Sequence, residues 1–148
     1  MRINTHRYVI LQGCVSPGFP GTGVGIPDKN EYIQECDNIL IASPIYFSEL
    51  TGRLLDVGSR LQTYFCARFF RKEEPILKPK KGAVILVGGG DGHMEKAYGT
   101  ACTLLHHMNC RQIHEPVYSH NTNERPAVED ESALSGLDSI LDFFHLCG

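Results

Sequence analysis

The chain is 148 residues long, 42% apolar and 21% charged, with a net charge of −3. That length suits one domain with a single sizeable core, and the balance of apolar to charged residues argues against disorder. A slightly acidic chain gives no reason to expect DNA, RNA or an anionic membrane as partner, and its apolar runs are far shorter than the roughly 20 residues that span a bilayer.

The opening MRINTHRYVILQG lacks the apolar core and cleavage site of a secretory signal. Cys14, Cys36, Cys66, Cys102, Cys110 and Cys147 contain no CxxC pair. Reduced thiols, several of them buried, and a cytoplasmic protein are therefore expected. Residues 8 to 12, YVILQ, read as a short strand. GCVSPGFPGTGVGIP follows, with Pro17, Gly18, Pro20, Gly21, Gly23, Gly25 and Pro27 making it an irregular loop. Its GxGxG spacing lacks the last step of GxGxxG, and Pro27 displaces the helix that should open there, so a phosphate cradle is not the reading taken. Asp28 and Glu31 have capping-box spacing and predict a short helix through Cys36.

Asn38 to Phe47, NILIASPIYF, is a buried strand that stops at Pro44, because proline cannot donate to a ladder. At the carboxyl edge of a parallel sheet, where crossover helices leave a crevice, Tyr46 and Phe47 read either as plugs of the core or as walls around a flat aromatic ligand. Residues 49 to 65 carry helical periodicity, with Leu50, Leu54, Val57, Leu61 and Phe65 on one stripe. Gly58 beside that stripe predicts close packing on the sheet, and Leu55 off it hints at an oligomer surface. RFFRKEEPILKPKK, 68 to 81, reads as a solvated basic connection. AVILV, 83 to 87, is a second buried strand, running into Gly88 to His93.

A helix over 94 to 108 gathers Met94, Ala97, Tyr98, Ala101, Leu104, Leu105 and Met108 on one face. His106, Cys110 and Cys102 lie opposite and read as surface residues, since a structural zinc site wants four ligands; no metal is expected. Residues 111 to 119 suggest a third strand interrupted by Pro116, HNTNERPAVED a long loop, and Asp130 the cap of a last helix with Leu134, Leu137, Ile140, Leu141 and Phe144 on its apolar face. Alternating strands and helices argue for an α/β fold, a parallel sheet covered on both faces.

The segment DNILIASPIYFSELTGRLLDVGSRL resembles the NADPH-dependent FMN reductases of the flavodoxin-like proteins, which read like aDgiifgSPvYf…sGqlKafiDR here. Ser43, Pro44, Ile45, Tyr46, Gly52, Leu54 and Arg60 match, whereas Leu55 stands for the family's Lys and Ser59 for the Asp before Arg. AVILVGGGDGH resembles the family's next strand and glycine-rich loop, and the likeness runs roughly from Asp28 to Ser119. It implies a flavodoxin-like domain over 1–148 and an FMN site. Ser43, Pro44, Ile45, Tyr46 and Phe47 would wrap the ribityl chain and one ring edge, and Gly88, Gly89, Gly90, Asp91, Gly92 and His93 would approach the other. NADPH or NADH is the implied electron donor, the flavin carries the chemistry, no side-chain acid or base is nominated, and a homo-oligomer is implied.

The amino-terminal part departs from the family. A βαβ unit needs roughly 30 residues or more, only 37 residues precede Asn38, and the Gly/Pro loop occupies many of them. The favoured expectation is that the first βαβ unit is lacking and that residues 1–37 are irregular. The alternative is that YVILQGC is the first strand with a rebuilt loop. Cys14 alone stands where the iron-sulfur branch of the family has a cysteine cluster, so no cluster is expected.

Overall fold

The computed structural model describes residues 8–12, 31–74 and 77–145. In chain order these form strand β1 (Tyr8–Gln12), helix α1 (Glu31–Glu35), strand β2 (Asn38–Pro44), helix α2 (Gly52–Cys66) continued by a π-helical turn (Ala67–Arg71), strand β3 (Lys80–Val87), helix α3 (Glu95–His107), strands β4 (Cys110–Ile113) and β5 (Val117–Ser119), and helix α4 (Glu131–His145). The Gly/Pro loop, Asp28, Cys14 and Cys147 lie outside the described residues.

Among the described residues the strands of the sheet all pair in parallel. β1 lies beside β2 from Tyr8↔Asn38 to Gln12↔Ala42, and β2 beside β3 from Asn38↔Lys81 to Pro44↔Val87. β4 and β5 both pair with the far edge of β3, through Lys80↔Cys110 and Val87↔Ser119. They are two pieces of one edge strand. The register slips once at Arg111 and once more across His114 to Pro116, where proline cannot supply a ladder donor.

Parallel strands buried on both faces read as continuous apolar runs, and β2 and β3 do so. One face presents Ile39, Ile41, Val84 and Leu86 to Leu54, Val57, Leu61 and Tyr64 of α2 and to Ala97, Ala101, Leu104 and Leu105 of α3. The other presents Ala83 and Val117, with Leu40 and Ile85 partly covered, to Ala133, Ile140 and Phe144 of α4. Each fully buried aliphatic side chain contributes about 1.5–3 kcal/mol against the entropy of ordering it.

Several expectations change in detail. Tyr64 rather than Phe65 completes the buried stripe of α2, and Gly58 packs against α3 rather than the sheet: a Cβ there would stand 2.7 Å from Leu104 Cδ2. Residues 68 to 71 are helical rather than a connection, because α2 runs on into a wider turn before Lys72 ends it at φ 57°. β3 starts at Lys80, whose ammonium is buried and donates to the Lys78 carbonyl at 2.8 Å. Cys110 is not a surface residue facing His106; it is buried in β4, and burial pushes its thiol pKa up to about 12. Leu134 and Leu141 stay 43% and 53% exposed, because Ala133, Ile140 and Phe144 already fill the sheet-facing side of α4. Asp130 does cap that helix, its Oδ1 accepting the Ala133 amide at 3.2 Å. Among the described residues no helix is long and apolar enough to cross a membrane.

Candidate functional site

Three loops leave the sheet at one edge, after β2, β3 and β5. Because β2 and β3 are parallel neighbours, SPIYF and GGGDGH emerge side by side. The Ile45 amide donates to the Val87 carbonyl at 2.8 Å, which joins their roots. The third loop is tied in by the Gly88 amide, which donates to the Ser119 carbonyl at 2.8 Å.

The first loop is a two-residue hairpin. Tyr46 and Glu49 exchange both backbone hydrogen bonds at 3.0 Å, leaving Phe47 and Ser48 at the tip with φ 52° and 61°. Positive φ at both central residues is the type I′ geometry, which ordinarily selects Asn-Gly. The Phe47 ring is fully exposed and Tyr46 is 55% exposed, so neither plugs the core. Behind the hairpin Ser43 is buried; its hydroxyl donates to the Pro44 carbonyl at 2.7 Å and accepts the Thr51 amide at 3.3 Å. Thr51 is the N-cap of α2, but its side chain makes no cap bond and its Oγ1 is buried with no partner among the described residues. An orphaned buried hydroxyl of this kind costs about 1–3 kcal/mol.

The second loop is shaped by the third. Thr122 donates to the Gly88 carbonyl through both its amide and its hydroxyl, at 3.1 Å each. Asn123 donates to the Gly89 carbonyl at 3.3 Å and Asn121 to the Gly90 carbonyl at 3.0 Å. Tyr118 Oη donates to the Gly92 carbonyl at 2.6 Å. Burial first, then the Glu95 and Asp91 carboxylates, raises the Tyr118 pKa, so the phenol stays a donor. The first two glycines are needed for these contacts: a Cβ at Gly88 would stand 2.9 Å from Tyr118 Oη, and one at Gly89 2.8 Å from Asn123 Nδ2. Gly90 and Gly92 face open space instead. The amides of Gly90, Asp91 and Gly92 enter no hydrogen bond among the described residues. Asp91 is exposed, and so is His93, with Nδ1 3.7 Å from the Glu95 carboxylate.

The sequence-nominated residues therefore share one edge: Ser43 and Pro44 at the end of β2, Ile45 to Phe47 in its hairpin, and Gly88 to His93 beside it. Four contributors escaped the reading by sequence. Tyr118, Asn121, Thr122 and Asn123 shape the glycine loop, and their only sequence signal was a run of turn-forming polar residues just after a strand. Glu49 also went unnamed; its carboxylate accepts the Leu50 amide at 2.9 Å and lies 3.6 Å from Lys96, linking the hairpin to the first turn of α3.

The edge offers free amides, open glycine backbone and exposed aromatic rings, which suit a flat, polar-edged ring. A phosphate finds little here, since Lys96 is shared with Glu49, and Asp91 and Glu95 stand nearby. Among the described residues no cluster of His, Cys, Asp and Glu has metal-binding geometry.

No protein-family model matches the sequence, and no curated protein matches it. Solved structures do. An NADH:FMN oxidoreductase (EMOB, apo form) superposes with a TM-score of 0.53 at 19% identity over 77% of this chain. An NADPH-quinone reductase from P. pentosaceus gives 0.51 at 13% identity over 80% of this chain and 73% of that one. The chain spans only 55% of the length of the first. At such identities the likeness speaks to architecture alone: the fold is α/β and flavodoxin-like.

Proposed function

We propose that the chain binds FMN at this edge and serves as an NAD(P)H-dependent oxidoreductase. One observation carries the reading: the hairpin after β2 and the glycine loop after β3 leave adjacent parallel strands at the same edge, joined by the Ile45–Val87 hydrogen bond. The ring would lie between Tyr46 and Phe47 on one side and Gly90 to His93 on the other. Bound there, the flavin would supply acceptance of a hydride from the nicotinamide and delivery of electrons onward. The chain's part is orientation. Free amides at Gly90, Asp91 and Gly92 are donors for the ring's carbonyl edge. Tyr118 holds the Gly92 carbonyl so that the loop keeps its shape. The two solved neighbours support this reading through what their names say they act on.

A second reading is a non-catalytic flavodoxin-like interaction subunit. Two observations favour it: Gly88 and Gly89 spend their open sides on Tyr118 and Asn123, and the described edge offers a phosphate only a shared lysine. Flavin titration separates the two. Under the first reading, added FMN loses its fluorescence, stays with the protein through gel filtration and supports NADPH or NADH oxidation. Protein that emerges colourless, with FMN fluorescence unchanged, refutes it.

A further inference from the structure

The far end of α2 carries a site of a different kind. There the sequence RFFRK (68–72) is wound into the π-helical turn, which ends at Lys72 in the left-handed region. Wider turns of this type recur at functional positions, because they push side chains out of helical register. Phe69 and Phe70 are left 60% and 77% exposed. Phe65 stacks on Phe69 with ring centroids 4.3 Å apart and meets His107 edge-on at 6.5 Å. Between the turn and the last half of α3 is an open hollow of about 430 Å³ lined by Arg68, Cys102, Thr103, His106 and His107, with the Phe65 ring behind His107. It lies within the size range of small-molecule sites. The length of α2, 15 residues at 1.5 Å per residue or about 22 Å, separates it from the hairpin edge.

The polar groups are specific in what they leave open. Arg68 reaches Glu74 only at 3.6 Å, and that carboxylate is 87% exposed, so its charge is a loose and screened partner. The guanidinium fork remains available to a carboxylate. His106 Nδ1 lies 2.8 Å from the Cys102 carbonyl, which can only accept, so Nδ1 carries a proton and Nε2 is left facing outward to meet a hydroxyl. The Thr103 hydroxyl gives its proton to the Gly99 carbonyl at 3.0 Å and likewise presents lone pairs. One cationic fork, two acceptors and an aromatic wall call for a planar group with an anion at one end and a hydroxyl donor at the other.

We infer that this hollow is a binding site for an aromatic hydroxycarboxylic acid, its carboxylate on Arg68, its hydroxyl on His106 or Thr103, and its ring against His107, which Phe65 backs edge-on.

The test titrates the full chain, ¹⁵N-labelled at pH 7, with 6-hydroxy-2-naphthoate, 2-naphthoate and 2-naphthol, following amide shifts and calorimetric affinity. The expected order places the hydroxy acid first, with submillimolar affinity and shifts centred on residues 102 to 107 and Arg68. Arg68→Gln should weaken the two acids at least tenfold and leave 2-naphthol within twofold, while Arg53→Gln, at the other end of α2, should change none of them. The spectrum of each variant reports that it is folded. Equal affinity for 2-naphthol and the acids, an Arg68→Gln variant that binds all three as before, absence of binding, or shifts confined to Gly90 to His93 would each overturn the assignment.

Discussion

Replacing Phe47-Ser48 by Asn-Gly offers a direct test of the hairpin at the candidate site. Both residues sit at positive φ, 52° and 61°. An L-residue other than glycine or asparagine pays roughly 1–2 kcal/mol to be there, and Asn-Gly is the sequence the turn selects. Phe47 is fully exposed, so losing its ring forfeits no burial. Against the relief stands the added freedom of glycine in the unfolded chain, about 0.4–1 kcal/mol. With two such residues relieved, the balance is a gain of about 1–3 kcal/mol, and each kcal/mol raises Tm by about 2–4 °C for a domain of this size. Urea unfolding should show a higher midpoint at unchanged slope. Flavin affinity should move the other way: loss of an aromatic contact worth about 0.5–1.5 kcal/mol weakens FMN a few-fold to about tenfold. A variant destabilised by 1 kcal/mol or more would refute the reasoning, because Phe47 would then be packed against something rather than strained at a tip. Stabilisation with unchanged FMN binding would leave the turn correct and remove Phe47 from the ring site.

Gly88→Ala should destabilise the fold by about 1–3 kcal/mol by driving a methyl into Tyr118, whereas Gly92→Ala, facing open space, should stay within about 0.5 kcal/mol and register only in flavin quenching. Gly136→Ala sets a helix gain of about 1 kcal/mol against overpacking of about 1–3 kcal/mol. The new methyl would stand 2.7 Å from a Val117 methyl on a strand, so a net loss is expected, while Gly99→Ala, with nothing within 4 Å, should gain about 1 kcal/mol; thermal melts of the pair check the contrast. The Asp130 carboxyl is held below the usual carboxylate range, first by the Ser119 hydroxyl, then by the Ala133 amide, with Arg125 adding to them. A pKa lower in the folded than in the unfolded state, where it is about 3.9, contributes stability above the unfolded value and loses it as pH falls through the folded one. Tm measured from pH 7 to pH 2 should therefore fall less steeply below pH 4 in Asp130→Asn than in the parent.

Local chemistry was readable along the chain wherever one residue type decides a backbone outcome. NILIASP and AVILV could only be buried strands, Pro44 and Pro116 had to end or interrupt ladders, and Asp130 had the side chain and position of a cap. The pairing of two loops more than 40 residues apart follows from those strands being parallel neighbours, so the candidate edge was legible once the sheet was granted. What stayed hidden depended on partners distant in sequence. Nothing in GGGDGH tells that its first two glycines make room for Tyr118 and Asn123 while Gly90 and Gly92 stay open. Nothing in GRLLDVGSRL tells that Gly58 answers to Leu104. Periodicity places a side chain on a helix face but does not say which neighbour fills the space above it, which is why Phe65 gave way to Tyr64 and Leu134 and Leu141 stayed exposed. Short-range sterics and hydrogen bonding, written into single residues, determined the elements and their ends; close packing between segments, which exists only after the chain has folded, decided which glycines, hydroxyls and rings face the candidate edge.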